Sequence, residues 1–282
     1  METLHFFGNF GCPLNRDLLK LYAAGAHALA AFFFIFAAGC DSNQSHPKLT
    51  VGADLSYPPF ETIGVSGKPE GVSVDLAEAI GAKLGRTVQI ENLPFVGLIP
   101  ALQSGRIDLV ISSMTDTQER RQSIGFSDPY LTVGLALLVG KNAGVQTLAE
   151  LDTPERTVVV RQGTTGEVWA RSTIQKAKIL AVERESSAVM EVVQGKADAF
   201  VYDQMSVWEN ARRHPDAALA LLAPIKTEQW AIGIKKDNQA LAEQVNRALA
   251  ELKNEGFFEK LGDKYLSEQK AAFESQAVPF VF

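Results

Sequence analysis

"LQSGRIDLVISS" (Leu102–Ser113) and "VVQGKADAFVYD" (Val192–Asp203) run in step, matching Gly105 to Gly195, Asp108 to Asp198 and Ser113 to Asp203. Each reads as a helix end, a glycine stop, a basic residue, an aspartate and then an apolar strand. A helix that ends and a strand that begins is a common junction, so one such pair also arises by chance. Two lobes of similar construction are the alternative, and the sequence on either side favours them.

Around the first copy, "KLTVGAD" reads as a strand and "SVDLAEAIGAKLG" as a helix with Leu76, Ile80 and Leu84 on one face, stopped by Gly85. "TVQIENL" then predicts a strand, "VGLIPALQSG" a helix and "IDLVIS" a strand. Around the second copy, "TVVVRQG", "KILAV" and "ADAFVYD" are predicted strands, with "TTGEVWARST" and "SSAVMEVVQG" the helices between them. Such alternation marks an α/β fold with mostly parallel sheets flanked by helices. "EQWAIGI" adds a strand, and "NQALAEQVNRALAELKNEG" a helix with Leu241, Val245, Leu249 and Leu252 on one face; "FFEKLGDKYL" adds a further helical piece. If these return to the first lobe, the chain crosses twice between lobes, near Leu135 to Val139 and near Pro224 to Glu228, as a two-strand hinge. The expected organisation is 1–39 signal, 40–48 tether, 49–137 with 226–266 as lobe 1, 138–225 as lobe 2, and 267–282 as a tail without a reading.

The 282 residues are 46% hydrophobic and 21% charged, an ordinary globular composition, with a formal net charge of -6. No basic stripe is present, which sets nucleic acid aside as a partner. Arg16 and Lys20 precede the apolar run "LYAAGAHALAAFFFIFAAG", which has the layout of a secretory signal. The only cysteines are Cys12 and Cys40, so the chain after the signal can form no internal disulfide. "FAAGCD" resembles a bacterial lipoprotein signal, which implies acylation at Cys40; an uncleaved membrane anchor is the other reading, since the run approaches spanning length. Ala37 stands where leucine is usual in that pattern, and Asp41 resembles an inner-membrane retention signal.

Open parallel sheets bind ligands beyond the carboxyl ends of their strands, and Ser112-Ser113 and Tyr202-Asp203 occupy that place in the two lobes. No catalytic motif is present, and the four histidines are scattered at 5, 27, 46 and 214, so neither a metal nor a cofactor is expected. What remains suits a zwitterion. Arg120 offers a fork for a carboxylate, which Ser113, Thr115 and nearby amides can share, while Asp203 can accept an ammonium from the other lobe. Each residue also has a duller reading: Arg120 as a surface pair with Asp116 or Glu119, and Asp203 as the N-cap of "QMSVWENARR". "GTTGE" places Thr165 at an anion-favouring helix start, or simply forms a capping turn. Tyr57 and Phe95 stand at strand ends where they can sandwich an aliphatic stem, although Phe60 and Phe95 equally suit a core.

"YPPFE", the run "FVGLIPALQSGRIDLVISSMTDTQERRQSIGFSDPY", "RQGTTGE" and "GKADAFVYD" together resemble the polar-amino-acid class of bacterial periplasmic solute-binding proteins, extracellular solute-binding protein family 3. The resemblance runs from about Leu49 to Leu266. It implies a two-lobed type II periplasmic-binding-protein-like fold that closes on its ligand and serves an ABC permease in the membrane. By motif match it places carboxylate binding on Arg120, Ser113, Thr115 and Thr165, with Ser112 beside them, ammonium binding on Asp203, and an aromatic wall on Tyr57 and Phe95. Asp54, Arg161 and Tyr202 are implied to face the ligand side chain. Opposed charges at 54 and 161 suit a neutral polar side chain such as glutamine, whereas pairing of the two out of the pocket would suit a cationic ligand. A monomeric, non-enzymatic receptor in the periplasm, held to the inner membrane through Cys40 (at the cell surface in a Gram-positive cell), is the expectation. "GTTGEVWAR" also resembles the cyclohexadienyl dehydratases, in which a glutamate matching Glu167 is the general acid, so an enzyme on the same scaffold is the alternative.

Overall fold

The computed structural model describes residues 47–276 and 278. Cys40 and the apolar run before it lie outside the described residues.

Two five-stranded sheets organise the chain, and their strand orders are equivalent. In the first, Thr87–Asn92, Lys48–Ala53 and Leu109–Val110 are parallel neighbours, and Gly233–Ile234 and Gly125–Phe126 follow as antiparallel ones. In the second, Lys178–Val182, Thr157–Arg161 and Ala199–Asp203 are parallel, followed by antiparallel Leu131–Gly140 and Ala218–Trp230. Each sheet is therefore parallel on one side only. In each sheet the strand that arrives from the other lobe, Gly233–Ile234 in the first and Leu131–Gly140 in the second, enters from the opposite end and runs against the rest, while the strand that leaves runs with them.

The sequence repeat is a structural one. Gly105 and Gly195 each follow a helix at positive φ, 77° and 69°, where a side chain would be strained. Asp108 accepts the Thr50 amide at 2.8 Å and donates its own amide to the Thr50 carbonyl at 2.8 Å. Asp198 does the same with Thr157, at 2.7 and 2.8 Å. In both lobes this aspartate fixes where the third strand starts against the first, and so where that strand's far end emerges.

The helices form where the apolar spacing predicts them. Leu241, Val245, Leu249 and Leu252 of the helix Gln239–Asn254 are buried in one cluster with Leu76 and Ile80 of the helix Val72–Lys83, so the chain does return to the first lobe. Burying each such side chain contributes about 1.5–3 kcal/mol. Lys83 bridges the same two helices to Glu251 and Glu255, at 3.2 and 2.5 Å.

Three expectations change. The lobe junctions expected at 137/138 and 225/226 lie elsewhere, because Leu131–Gly140 and Ala218–Trp230 pair with each other along the second sheet. The chain passes between sheets at 127–130 and 231–232, where the Ser127 amide donates to the Ile232 carbonyl and the Tyr130 amide to that of Trp230. Strand "EQWAIGI" is accordingly interrupted after Trp230 and resumes at Gly233. Strand "IDLVIS" is shortened to Leu109–Val110, with Ser113 just beyond it at φ 49°. Part of the tail has structure: the helix Ser267–Ser275 buries Gln269 and Phe273, with Phe273 edge-on to Trp208 at 6.5 Å.

Candidate functional site

Beyond the carboxyl ends of the two sheets lies a narrow cavity lined from both lobes. All eleven residues expected at a ligand line it, together with Glu61, Leu135, Thr164, Gly166 and Trp230. Phe60 does not line it; it is core, stacked on Tyr57 at 5.3 Å.

Arg120 reaches the cavity from the short helix Gln118–Ser123, whose N-cap Thr117 accepts the Arg120 amide at 3.1 Å. Asp116 pairs with Arg121 rather than Arg120, so the surface-pair reading of Arg120 falls away. Nη1 of Arg120 donates to the Thr115 carbonyl at 2.7 Å, and Nη2 crosses to the second-lobe Gly163 carbonyl at 3.0 Å. Gly163 presents that carbonyl with φ 75°, and a Cβ there would stand 2.9 Å from Val96. The guanidinium also lies over the Phe95 ring, 5.4 Å from its centre. Burial lowers the Arg120 pKa, yet a guanidinium keeps its charge, so the cavity has a fixed cation.

Asp203 is a helix cap and a cavity residue at once. It caps the helix Gln204–Arg213, accepting the Met205 and Ser206 amides at 3.0 and 3.1 Å, and it lines the cavity. Tyr57 of the first lobe donates its hydroxyl to the same oxygen, Oδ1, at 2.6 Å. All three bonds converge on Oδ1, which leaves Oδ2 for a donor in the cavity. Burial raises the carboxyl to about 6, against the hydrogen bonds that lower it.

Asp54 and Arg161 form an ion pair between lobes while still lining the cavity. Arg161 is 3% exposed and also donates to the Tyr202 hydroxyl at 3.0 Å and the Glu183 carbonyl at 3.3 Å. Asp54 accepts the Phe95 amide at 2.9 Å and the Ser56 hydroxyl at 2.6 Å. The pair is thus a satisfied, electrically neutral wall, and Phe95 stacks on it as well, 5.5 Å from Arg161.

The hydroxyls that line the cavity are engaged by carboxylates of the protein itself. Ser112 and Ser113 were expected to turn theirs toward a carboxylate in the cavity, but both donate to the buried Glu61, at 3.3 and 3.0 Å. Thr115 and Thr165 donate to Glu228 Oε2 at 3.1 and 2.6 Å, one from each lobe. Lys226 lies 3.1 Å from the other Glu228 oxygen, as an ion pair without hydrogen-bond alignment. A hydroxyl has one proton, so a carboxylate that takes it leaves only the lone pairs for anything else. Neither glutamate carries a sequence signal of burial. Trp230, edge-on to Tyr57 at 6.2 Å, was likewise legible only as an apolar strand residue.

Glu167 is not among the residues that line this cavity. It accepts the Gly163 amide at 2.7 Å and pairs with Arg171 at 2.9 Å. Among the described residues there is no group of three or more His, Cys, Asp or Glu that could hold a metal, and no helix long and apolar enough to cross a membrane.

Residues 49–268 match the bacterial extracellular solute-binding proteins, family 3. The chain belongs to that family. Both crossings and every cavity residue of this family 3 protein fall inside the matched stretch. The L-cystine-binding protein TcyJ of Escherichia coli K12 is 28% identical over 218 residues, covering 77% of this chain and 82% of that protein. Among solved structures, the ancestral amino-acid-binding protein AncCDT-1, a precursor of cyclohexadienyl dehydratase, is 36% identical with a TM-score of 0.71, covering 77% of this chain and 94% of the other. An ancestral arginine-binding protein bound to glutamine is 34% identical with a TM-score of 0.72, covering 78% and 97%. These similarities, with the paired sheets, make the fold a two-lobed type II binding-protein fold.

Proposed function

We propose that this family 3 protein is the receptor of an ABC importer, capturing a free polar L-amino acid between its lobes and presenting it to a permease in the membrane. The observation that carries the reading is the meeting of Arg120 from the first lobe and Asp203 from the second on one cavity. A carboxylate fits the guanidinium and an ammonium fits Asp203. Each charge-assisted hydrogen bond of this kind contributes about 1.5–3 kcal/mol. Contacts made from two lobes favour the closed form over the open one, so capture and closure are one event.

The neutral wall of Asp54 and Arg161 supports a neutral side chain that both donates and accepts, as a primary amide does, and glutamine is the simplest ligand of that class. A likeness to an ancestral arginine-binding protein bound to glutamine is in keeping with this. The protein works outside the cytoplasm as a monomer, tethered through an acylated Cys40, and intact mass measurement of the mature form tests that anchor. The reading of a receptor that does no chemistry is supported by Glu167, the match to the dehydratase glutamate, being held by the Gly163 amide and Arg171.

Isothermal titration against individual amino acids is the test. Glutamine binding in the micromolar range with little heat from lysine or arginine is the expected result. Binding confined to the cationic amino acids would end the neutral-side-chain reading, and no binding by any amino acid would end the receptor reading.

A further inference from the structure

Glu61 belongs to no ligand pole described above, yet it lines the cavity and is only 1% exposed. Three hydroxyls converge on it: Ser73 at 2.6 Å from the helix Val72–Lys83, and Ser113 and Ser112 at 3.0 and 3.3 Å from the loop that follows the third strand. Ser112 in turn accepts the Asp54 amide at 2.9 Å, so Glu61 is linked to both loops of the first lobe that line the cavity. Ser113 holds φ 49°, a conformation uncommon for a residue with a Cβ, and its hydroxyl bond to Glu61 is what ties it there.

The charges facing Glu61 are one-sided. Asp54 and the buried Tyr130 hydroxyl lie near it, and among the described residues no Lys, Arg or His forms an ion pair with it. A buried carboxyl with hydroxyl partners and no counter-charge favours its uncharged form. Burial correspondingly raises this carboxyl to about 8, with the three serine bonds lowering it less.

We propose that Glu61 is a positioning residue which, as an uncharged acid, holds the Ser112–Thr115 loop in its ligand-ready shape, and that its ionisation expels an amino-acid ligand by adding negative charge beneath the carboxylate. This rests on the amino-acid reading of the cleft. Glu61 and Arg120 line the same cavity, so a carboxylate held there by Arg120 would meet an added negative charge once Glu61 ionises.

The experiment measures the dissociation constant of a bound amino acid from pH 6 to 9.5 for the wild type, Glu61→Gln and Glu61→Ala. The ligand's own ammonium titrates identically in all three, so the difference between profiles is the readout. Wild-type affinity is expected to fall above pH 8, approaching tenfold per pH unit beyond the loss seen in Glu61→Gln. Glu61→Gln should bind within about threefold of wild type at pH 7, and Glu61→Ala more than tenfold weaker throughout. Coincident wild-type and Glu61→Gln profiles would overturn the proposal and leave the receptor reading intact; no amino-acid binding at any pH would remove both. Should Glu61→Gln fail to fold, the wild type suffices. Linkage requires ligand to raise the carboxyl pKa of Glu61, followed by carbon-13 NMR, and an unchanged pKa overturns the idea.

Discussion

Tyr57 and Asp203 stand 146 residues apart and in different lobes, yet the tyrosine hydroxyl donates to the aspartate at 2.6 Å inside the cleft. That bond makes Asp203 part of the closed interface even before a ligand is considered. It also accounts for the ordering of the carboxylate, which is held from three directions through one oxygen.

Replacing Asp203 with asparagine separates capping from charge. The amide oxygen can still accept the Met205 and Ser206 amides, while the negative pole of the cavity is lost. Amino-acid affinity is expected to fall about 10- to 100-fold, corresponding to one charge-assisted bond of about 1.5–3 kcal/mol. The ligand-free melting temperature should hold steady or rise, since a buried charge is removed. Titration calorimetry and scanning calorimetry on the same sample read the two effects.

Removing Arg161 tests the specificity wall. Arg161→Gln leaves Asp54 in the cleft without its cation, a loss of about 3–5 kcal/mol when a buried pair is broken. A ligand that carries its own cation can restore the balance. Lysine and arginine should therefore gain at least tenfold in affinity relative to glutamine, and a competition assay with labelled glutamine shows the crossover.

Glu228 connects Thr115 of one lobe to Thr165 of the other through a single oxygen. Glu228→Ala frees both hydroxyls and removes this bridge, so the ligand-free protein should populate more open forms. Small-angle scattering would register a larger radius of gyration without ligand and an unchanged one at saturation. An identical radius in both states would show that the bridge contributes nothing to closure.

Three acids, Asp203 and Glu61 buried and Glu185 half-buried, set the pH response of the ligand-free protein. Burial raises Asp203 to about 6, Glu185 to about 7 and Glu61 to about 8, in each case against opposing hydrogen bonds. All three folded values exceed the unfolded ones, so the folded form binds more protons across this window. The penalty is complete above pH 8 and is relieved as pH falls through 8 toward 5. Melting temperature should rise on acidification over that range, and Glu61→Gln should flatten the upper part of the curve.

Much of this protein was legible from local pattern. The two lobes announced themselves in the Gly-x-x-Asp repeat, because a helix stop needs a positive φ and a strand start needs its amide partner, and both are short-range requirements. Asp203 was nameable as an acid at a strand end from strand direction, and Arg120 as a cation in the first turns of the helix that follows the other strand end. The allocation of protons was not. Whether Ser113 donates to a ligand or to Glu61, 52 residues away, and whether Arg161 stands alone or against Asp54, 107 residues away, depends on which groups the packed lobes bring within hydrogen-bond reach. The crossing points between lobes were equally hidden, because a strand's apolar run records that it is buried and leaves open which sheet it joins. Sequence determined the elements and the charges at their ends; tertiary structure decided which of those charges face the cavity and which are already held by one another.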